Sequence, residues 1–570
     1  MSSNWKKSLK PDAVVTLLLA AWWLLNVAQA AATGLADDEA YYWYFAQNLD
    51  WGYFDHPPMV ALLVKLSSWL PGALGIRFMS TLLQPLYLLI FWHMIKPAEA
   101  TLRQAAVYVL ICFSMPLLQL YGFLAVPDAP LLMFTVLFWW AWRRFVQSNT
   151  VASAALLGLM AALLGYSKYH GVLVVLFTVL SNPKMLKRWQ LYFAGAVALV
   201  LYAPHLWWQY SHDWVSFGYH LAGRNRAWQP SFTTEFLLNL LLVMNPLWIY
   251  HYIRGTKSMF VSSDPLRRAM AFTWVGFPVV FLLSTLRGHT QPQWILPAVL
   301  PAVCLLFDEA RDRKFLVIGS QILVLLYLIV RVLAVANPFG FKGEIWNNRE
   351  AYNQLAELAD GRPIVFMSSY TAPAKYQIYT GGEAYGDTYY FRRSSQWQYD
   401  TSDRAYAHRD VVVGNFTNHT PNRLELADGR TFYYREYHDY KPLREIKVTP
   451  TGNRFATVDS TGRLLMEFAV DNPYPYDVLT SEGDTVGLQL AVAYEERNWP
   501  GFRGILHDTI SAHGTAVVRC SMAPPAKLPS GTYRGNISIG HRGARYSANS
   551  PLMRVKVERS DTSLSVSFGD

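Results

Sequence analysis

The sequence predicts a polytopic α-helical membrane protein of about eleven transmembrane helices, followed by a small α/β unit and then a β-sandwich-like domain. Three observations predict it. The chain of 570 residues is 52% hydrophobic and only 16% charged, whereas a soluble globule carries about 25% charge. Apolar windows long enough to cross or nearly cross a bilayer recur through roughly the first 335 residues. Beyond them the pattern changes to short alternating segments punctuated by Pro and Gly.

The windows fall at residues 13–32, 75–95, 104–122, 130–146, 151–167, 169–181, 191–208, 234–253, 269–286, 294–307 and 315–335. Alternate connecting loops carry the basic residues: Lys6, Lys7 and Lys10; Lys96 and Arg103; Arg143 and Arg144; Lys184, Lys187 and Arg188; Arg254, Lys257, Arg267 and Arg268; Arg311, Arg313 and Lys314. By the positive-inside rule these loops and the N-terminus face the cytoplasm. Residues 37–71, 121–129, 167–170, 211–233 and 287–294 then face outward, and an odd number of spans puts everything after about Asn337 outside too. The expected location is a cytoplasmic (inner) membrane crossed many times. Ala28-Gln29-Ala30 also resembles a signal-peptide cleavage site, but the many later spans make an uncleaved first helix the natural start.

The expected domains are a membrane domain over 1–336, an outer α/β domain over 337–442 and an outer β-sandwich-like domain over 443–570. In the second, residues 350–359 and 372–379 read as helices around a buried-type strand at 363–367. In the third, residues 464–470, 486–494, 515–519, 531–539 and 552–557 read as strands.

A net charge of +10 would suit a nucleic-acid partner, but the basic residues sit mainly in short turns between apolar segments, so membrane topology explains them and no nucleic acid is expected. Trp (21), Tyr (34) and Phe (30) are abundant, as expected of rings at a bilayer surface. Cys112, Cys304 and Cys520 have neither metal nor disulfide spacing.

The unusual polar residues gather on the outward loops. Asp37-Asp38-Glu39 follows the first window directly. A carboxylate beside a low-dielectric boundary and a second carboxylate holds its proton more readily, so Asp38 or Glu39 suits a general base. The competing reading is the solvated start of a helix, where acidic residues suit the dipole. Asp128, between Pro127 and Pro130, carries the same two readings. Lys168 lies outward against the charge trend, either snorkelling to headgroups or gripping a phosphate. His56, Arg224, Arg226, Arg287 and His289 could add donors on that face. Together these groups ask for an anionic lipid substrate and an acceptor that loses a proton. Glycosyl transfer from a lipid phosphate has that shape: phosphate leaves readily, cations stabilise the departing charge, and one carboxylate activates the nucleophile. A transporter of lipid-linked sugars is an alternative, but it asks for charges at mid-membrane and paired broken helices. A membrane-anchored glycan-binding scaffold working through its tail is another.

Asp38-Glu39-Ala40-Tyr41-Tyr42-Trp43, followed by Leu49-Asp50-Trp51-Gly52-Tyr53-Phe54-Asp55-His56-Pro57-Pro58-Met59, resembles the first outer loop of the polyprenyl-phosphate-sugar-dependent glycosyltransferases of GT-C fold. That group includes the protein O-mannosyltransferases and the lipid A aminoarabinose transferases. Pro127-Asp128-Ala129-Pro130 and Ser167-Lys168-Tyr169 resemble its acidic second-loop and Lys motifs. His205-Leu206-Trp207-Trp208-Gln209, His212-Asp213-Trp214-Val215-Ser216 and Gln291-Pro292-Gln293-Trp294 match patterns of bacterial members, as does Arg392-Arg393-Ser394-Ser395-Gln396 in the tail. The resemblance implies a polyprenyl (undecaprenyl) phosphate sugar as donor and a lipid, glycan or protein as acceptor. It puts Asp38 at the catalytic-base position, supported by Glu39 and Asp128. Tyr42, Asp55, His56 and Lys168 lie in these motifs and, with Arg224, Arg287 and His289 on the outward loops, form the expected substrate-binding set. The family's basic residue before Pro-Pro is Lys, and here it is His56, which makes phosphate binding there pH-dependent. A divalent metal would take Asp55, His56 or His289, although their spacing is not that of a metal motif.

Overall fold

A computed structural model of the protein describes residues 10–223, 225–310, 313–367, 369–388, 394–417, 422–455, 462–478, 486–494, 497–505, 509–525, 528–541, 547, 549–560 and 563–569. The chain divides into two compact units, residues 1–341 and 342–570.

The first unit is helical. Its elements are α1 (Pro11–Ala32), α2 (Asp37–Gln47), α3 (Met59–Ser67), α4 (Leu74–Ile95), α5 (Leu102–Phe113), α6 (Pro116–Leu120), α7 (Asp128–Ser148) and α8 (Val151–Ser167). There follow α9 (Gly171–Leu180), α10 (Trp189–Ser211), α11 (Val215–Gly218), α12 (Pro230–Met244), α13 (Ile249–Phe260), α14 (Pro265–Ser284), α15 (Leu296–Ala310) and α16 (Lys314–Ala336). Every apolar window of the sequence coincides with one or two of these helices. Among the described residues six helices are long and apolar enough to cross a membrane, and seven if the pair α12–α13 counts as one span, rather than the eleven that the windows suggest. That pair bends by 73° at its break, where Asn245 takes φ +61° and Pro246 has no N–H to continue the ladder.

Windows 104–122, 130–146, 151–167 and 169–181 match none of these spans, and two windows are broken within the run that their composition suggests. Window 234–253 is this bent pair. Window 104–122 stops as helix after Phe113 and restarts at Pro116. The stretch 37–71, expected as a loop, holds the helices α2 and α3. Their burial comes from protein neighbours, so they lack the long apolar run that marks a span. Helix starts follow local rules: at α5, Thr101 accepts the Gln104 N–H at 3.2 Å while Gln104 accepts the Thr101 N–H at 2.9 Å. Gly158 lets α8 lie close against α10, since a Cβ there would stand 2.4 Å from the Ala194 carbonyl. The core holds Trp92, Trp139, Trp142 and Trp248, all fully buried.

The second unit contains α17 (Asn348–Ala359), β1 (Ile364–Met367), α18 (Ala372–Thr380), β2 (Ala384–Asp387), α19 (Trp397–Asp400), β3 (Val411–Asn415), β4 (Asn422–Glu425) and β5 (Thr431–Tyr437). Its remaining strands are β6 (Lys447–Pro450), β7 (Arg454–Phe455), β8 (Leu464–Asp471), β9 (Val486–Tyr494), β10 (Arg497–Ile505), β11 (Thr515–Met522), β12 (Gly531–His541), β13 (Met553–Arg559) and β14 (Leu564–Gly569). One sheet runs β2-β1-β3-β5-β4, parallel across its first three strands and antiparallel beyond. The other two sheets, β10-β9-β12-β13-β14-β7 and β11-β8-β6, enclose a shared core. In β8, Leu464, Met466, Phe468 and Val470 face that core. They lie opposite Met522, Cys520, Val518 and Ala516 of β11, so a one-residue slip would turn the apolar set to solvent.

Candidate functional site

The acidic cluster opens α2. Ala36 is the residue before the helix, and Asp37, Asp38 and Glu39 form its first turn, where negative charge suits the dipole. Successive positions point about 100° apart, and the consequence is sharp: Asp38 is exposed whereas Glu39 is fully buried. Glu39 Oε1 accepts from Arg77 Nε at 2.7 Å and from the Ala125 N–H at 2.8 Å. Its Oε2 accepts from the second arm of Arg77 and from the Ala36 N–H. Arg77, fully buried on α4, donates its remaining hydrogens to Ala30 O, Thr33 O, Thr33 Oγ1 and Gly34 O at 2.8–3.0 Å. One guanidinium thus ties the end of α1, the start of α2 and the approach to α7.

That approach carries the second carboxylate. Asp128 begins α7, and both of its oxygens accept from Lys168 Nζ at 2.7 Å. The pair is buried. The ammonium that the sequence offers to a phosphate is held by Asp128 and keeps one N–H for another acceptor. Tyr121 lies within electrostatic reach of both Asp128 and Asp38, and Ala125, three residues before Asp128, donates to Glu39, the neighbour of Asp38.

The third component is the segment before α3. His205 Nδ1 bonds to the Trp51 carbonyl at 2.7 Å, Trp208 donates to Asp50 at 2.8 Å, and Ser216 donates to the Tyr53 carbonyl at 2.8 Å. A Cβ on Gly52 would stand 2.6 Å from the Trp208 ring, so only glycine lets the loop lie this close to α10. Gln209, buried between, donates to Tyr169 and to Ser216. Beside this docked loop His56 packs edge-on to Tyr42 at 5.4 Å and lies 6.3 Å from His220, whose Nε2 meets the Asp55 carbonyl at 2.8 Å. Tyr169 stands 5.3 Å from His220 and within reach of the Asp55 charge.

The structure therefore gathers Asp38, Glu39, Asp128 and Lys168 in one group, and Tyr42, Asp55 and His56 in a second held by α10 and the residues after it. Arg287 and His289 are exposed; His289 pairs with Glu235 at 3.3 Å, and the Arg287 carbonyl accepts the Arg226 N–H. Arg224 lies outside the described residues, as do Arg392 and Arg393. Among the described residues no group of three or more His, Cys, Asp and Glu is placed to hold a metal ion. Sequence reasoning missed Arg77, His220 and the Ala125 N–H. Arg77 carried a signal, a lone cation at the start of an apolar window; the other two have no local mark.

A family profile described as dolichyl-phosphate-mannose-protein mannosyltransferase matches residues 55–208, from the docked loop to α10. The lipid A galacturonosyltransferase RgtD of Rhizobium johnstonii is 26% identical over 286 residues, covering 46% of this chain and 57% of that protein. The chain thus spans less than two thirds of that relative. ArnT from Cupriavidus metallidurans superposes in its apo state with a TM-score of 0.55 at 12% identity, over 74% of this chain and 97% of ArnT. ArnT bound to undecaprenyl phosphate gives a TM-score of 0.52 at 14% identity, over 73% of this chain and 97% of that one. The chain thus shares the fold of ArnT, and its residues 55–208 are similar to the dolichyl-phosphate-mannose-protein mannosyltransferases.

Proposed function

We propose that the protein is an inverting membrane glycosyltransferase that moves a sugar from a polyprenyl (undecaprenyl) phosphate to an acceptor on the outer face of a cytoplasmic membrane. The observation that carries this reading is the split between adjacent carboxylates: Glu39 is buried and spent on four hydrogen bonds, while Asp38 is exposed, and Tyr121 lies within electrostatic reach of both Asp38 and Asp128. Asp38 accepts the proton of the acceptor hydroxyl as its oxygen attacks the anomeric carbon. The bond from that carbon to the phosphate oxygen breaks on the opposite side, and polyprenyl phosphate leaves with the bonding pair. The third N–H of Lys168 supplies a charge-assisted hydrogen bond to the departing phosphate. Asp128 holds that ammonium in place, and Glu39 holds the turn that presents Asp38. Asp55, His56 and Tyr42 line the donor side of the site.

The loop charges favour a cytoplasmic N-terminus, with residues 342–570 outside. The likeness to a lipid A galacturonosyltransferase favours lipid A as acceptor over a glycolipid, a surface polysaccharide or a protein hydroxyl. Purified protein given a polyprenyl-phosphate sugar and lipid A should release polyprenyl phosphate. Asp38→Asn should slow release by roughly 10²–10⁴-fold with an unchanged unfolding midpoint. Normal turnover by that variant would remove Asp38 from the mechanism.

A further inference from the structure

The route by which the chain reaches Asp128 is unusual for a membrane bundle. Helix α5 has 12 residues, about 18 Å of rise, against a hydrocarbon core of about 30 Å. The rest of that path is a break at Ser114 and Met115, the short α6 and the irregular stretch 121–127. Irregular backbone in such a bundle needs partners for its carbonyls from the protein itself.

Two buried amides supply them. Gln84 on α4 donates to Leu118 O at 2.6 Å, and Gln119 donates to Phe113 O at 2.5 Å. Each amide is held in turn. Gln84 Oε1 accepts from Asn26 on α1 at 2.8 Å. Asn26 Oδ1 and Gln119 Oε1 both accept from Arg331 of α16, at 2.7 and 3.3 Å. Both arms of the network therefore end on one guanidinium.

Arg331 is buried, and among the described residues its hydrogen-bond acceptors are these two neutral amides, with no carboxylate. A buried cation without an anion is a costly way to stabilise a helix packing, and an apolar residue of similar size would serve that purpose better. What the cation does touch is the irregular stretch. Its guanidinium lies over the Phe123 ring at 5.2 Å and the Trp22 ring at 5.5 Å. Gly122 presses its backbone on the same network: a Cβ there would stand 2.4 Å from Gln84 Oε1 and 2.8 Å from Asn26 Nδ2. Two residues past Phe123, Ala125 donates to Glu39, and Asp128 follows.

We propose that Arg331 is a positioning residue: with Asn26, Gln84 and Gln119 it sets the path of residues 114–127, and through that path the Ala125 N–H and the Asp128 carboxylate. The consequence for catalysis rests on the glycosyltransferase reading above; the consequence for the path does not.

The test uses the full chain in lipid nanodiscs, with Arg331→Met and Arg331→Lys. Amide exchange across residues 121–128 should quicken by about tenfold or more in Arg331→Met, with α8 as the unchanged internal reference. Arg331→Lys, which keeps charge and donors but loses the fork, should fall between Met and wild type. With a polyprenyl-phosphate sugar, turnover by Arg331→Met should drop by at least about tenfold while the donor KM stays within about threefold. Should Arg331→Met not fold, Gln119→Leu cuts one arm and should quicken exchange in the same residues by a smaller factor. Unchanged exchange across 121–128 in a folded variant, or quickening spread evenly over the bundle, overturns the proposal. Absence of donor turnover by the wild type would defeat the glycosyltransferase reading and leave the exchange result to judge Arg331 alone.

Discussion

In the helical unit two buried carboxylates of the candidate site each have a cation of their own: Glu39 takes two hydrogen bonds from Arg77, and Asp128 two from Lys168. In the C-terminal unit Asp387 and Asp403 share Arg444. Its Nε stands 4.0 Å from Asp403 Oδ2, and its backbone N–H reaches the same oxygen at 3.3 Å. The Tyr474 hydroxyl donates to Asp403 at 2.6 Å and Ser547 donates to Asp387 at 3.1 Å. A single guanidinium cannot offset two carboxylates in a low-dielectric junction. Burial pushes the Asp403 carboxyl up to about 7, against the pull of Arg444 and the Tyr474 hydroxyl and with the help of the Asp387 and Glu445 charges. Burial likewise raises the Asp387 carboxyl, with Arg444 opposing. A one-to-one pair fixes a geometry; a shared cation leaves one carboxyl to titrate.

The comparison is most severely tested at Arg77. Arg77→Met strands a buried carboxylate and leaves the carbonyls of Ala30, Thr33 and Gly34 without their donor. A loss of about 3–5 kcal/mol is expected, read as a steep fall in the unfolding midpoint of the detergent-solubilised protein. Glu39→Gln combined with Arg77→Met should be milder than Arg77→Met alone, because no unpaired charge is then buried. Equal stability of Arg77→Met and wild type would end the claim that this pair organises the site.

A smaller effect of the other kind is expected at Asp403. Its folded carboxyl binds a proton more tightly than the unfolded one, so its contribution to stability is greatest below about pH 4. That contribution is lost as pH rises through about 7 and is level beyond. Asp403→Asn imitates the protonated group. The variant should match wild type near pH 4 and exceed it by a margin that widens up to about pH 7, on the order of a few kcal/mol in the unfolding of the C-terminal unit. Parallel pH profiles for the two proteins would show that the junction does not titrate.

How far the sequence made this visible differs by region for physical reasons. Lipid demands long apolar runs, so a helix was legible behind every window, although among the described residues six or seven of them rather than eleven are long and apolar enough to cross a membrane. Helices α2 and α3 were not, because protein rather than lipid buries Tyr41, Tyr42, Tyr44 and Phe45 on several sides of one short helix. The breaks at Pro116 and Asn245 interrupt runs whose composition is continuous. Asp38, Glu39, Asp128 and Lys168 stood out as polar residues at apolar boundaries, but the pairing of Lys168 with Asp128 and of Arg77 with Glu39 joins residues about forty apart and is set by packing. Strands β8, β9, β11, β12 and β13 show in alternation or apolar runs. Strand β3 is short and buried throughout, β5 has no clean alternation, and β10 breaks register between Trp499 and Phe502.

The weakest case closes the comparison from the other side. Arg409 reaches Glu383 with two hydrogen bonds at 2.8 and 2.6 Å, a better geometry than Arg444 offers either of its carboxylates. Both side chains are exposed, 39% and 47%, so water and salt take most of the attraction. Arg409→Ala should cost no more than about 1 kcal/mol, and less at high salt. A loss as large as that of Arg77→Met would mean that bond geometry, not burial, sets the worth of these pairs. A negligible loss would mean that the short distances at Arg77 matter only because no water competes for Glu39.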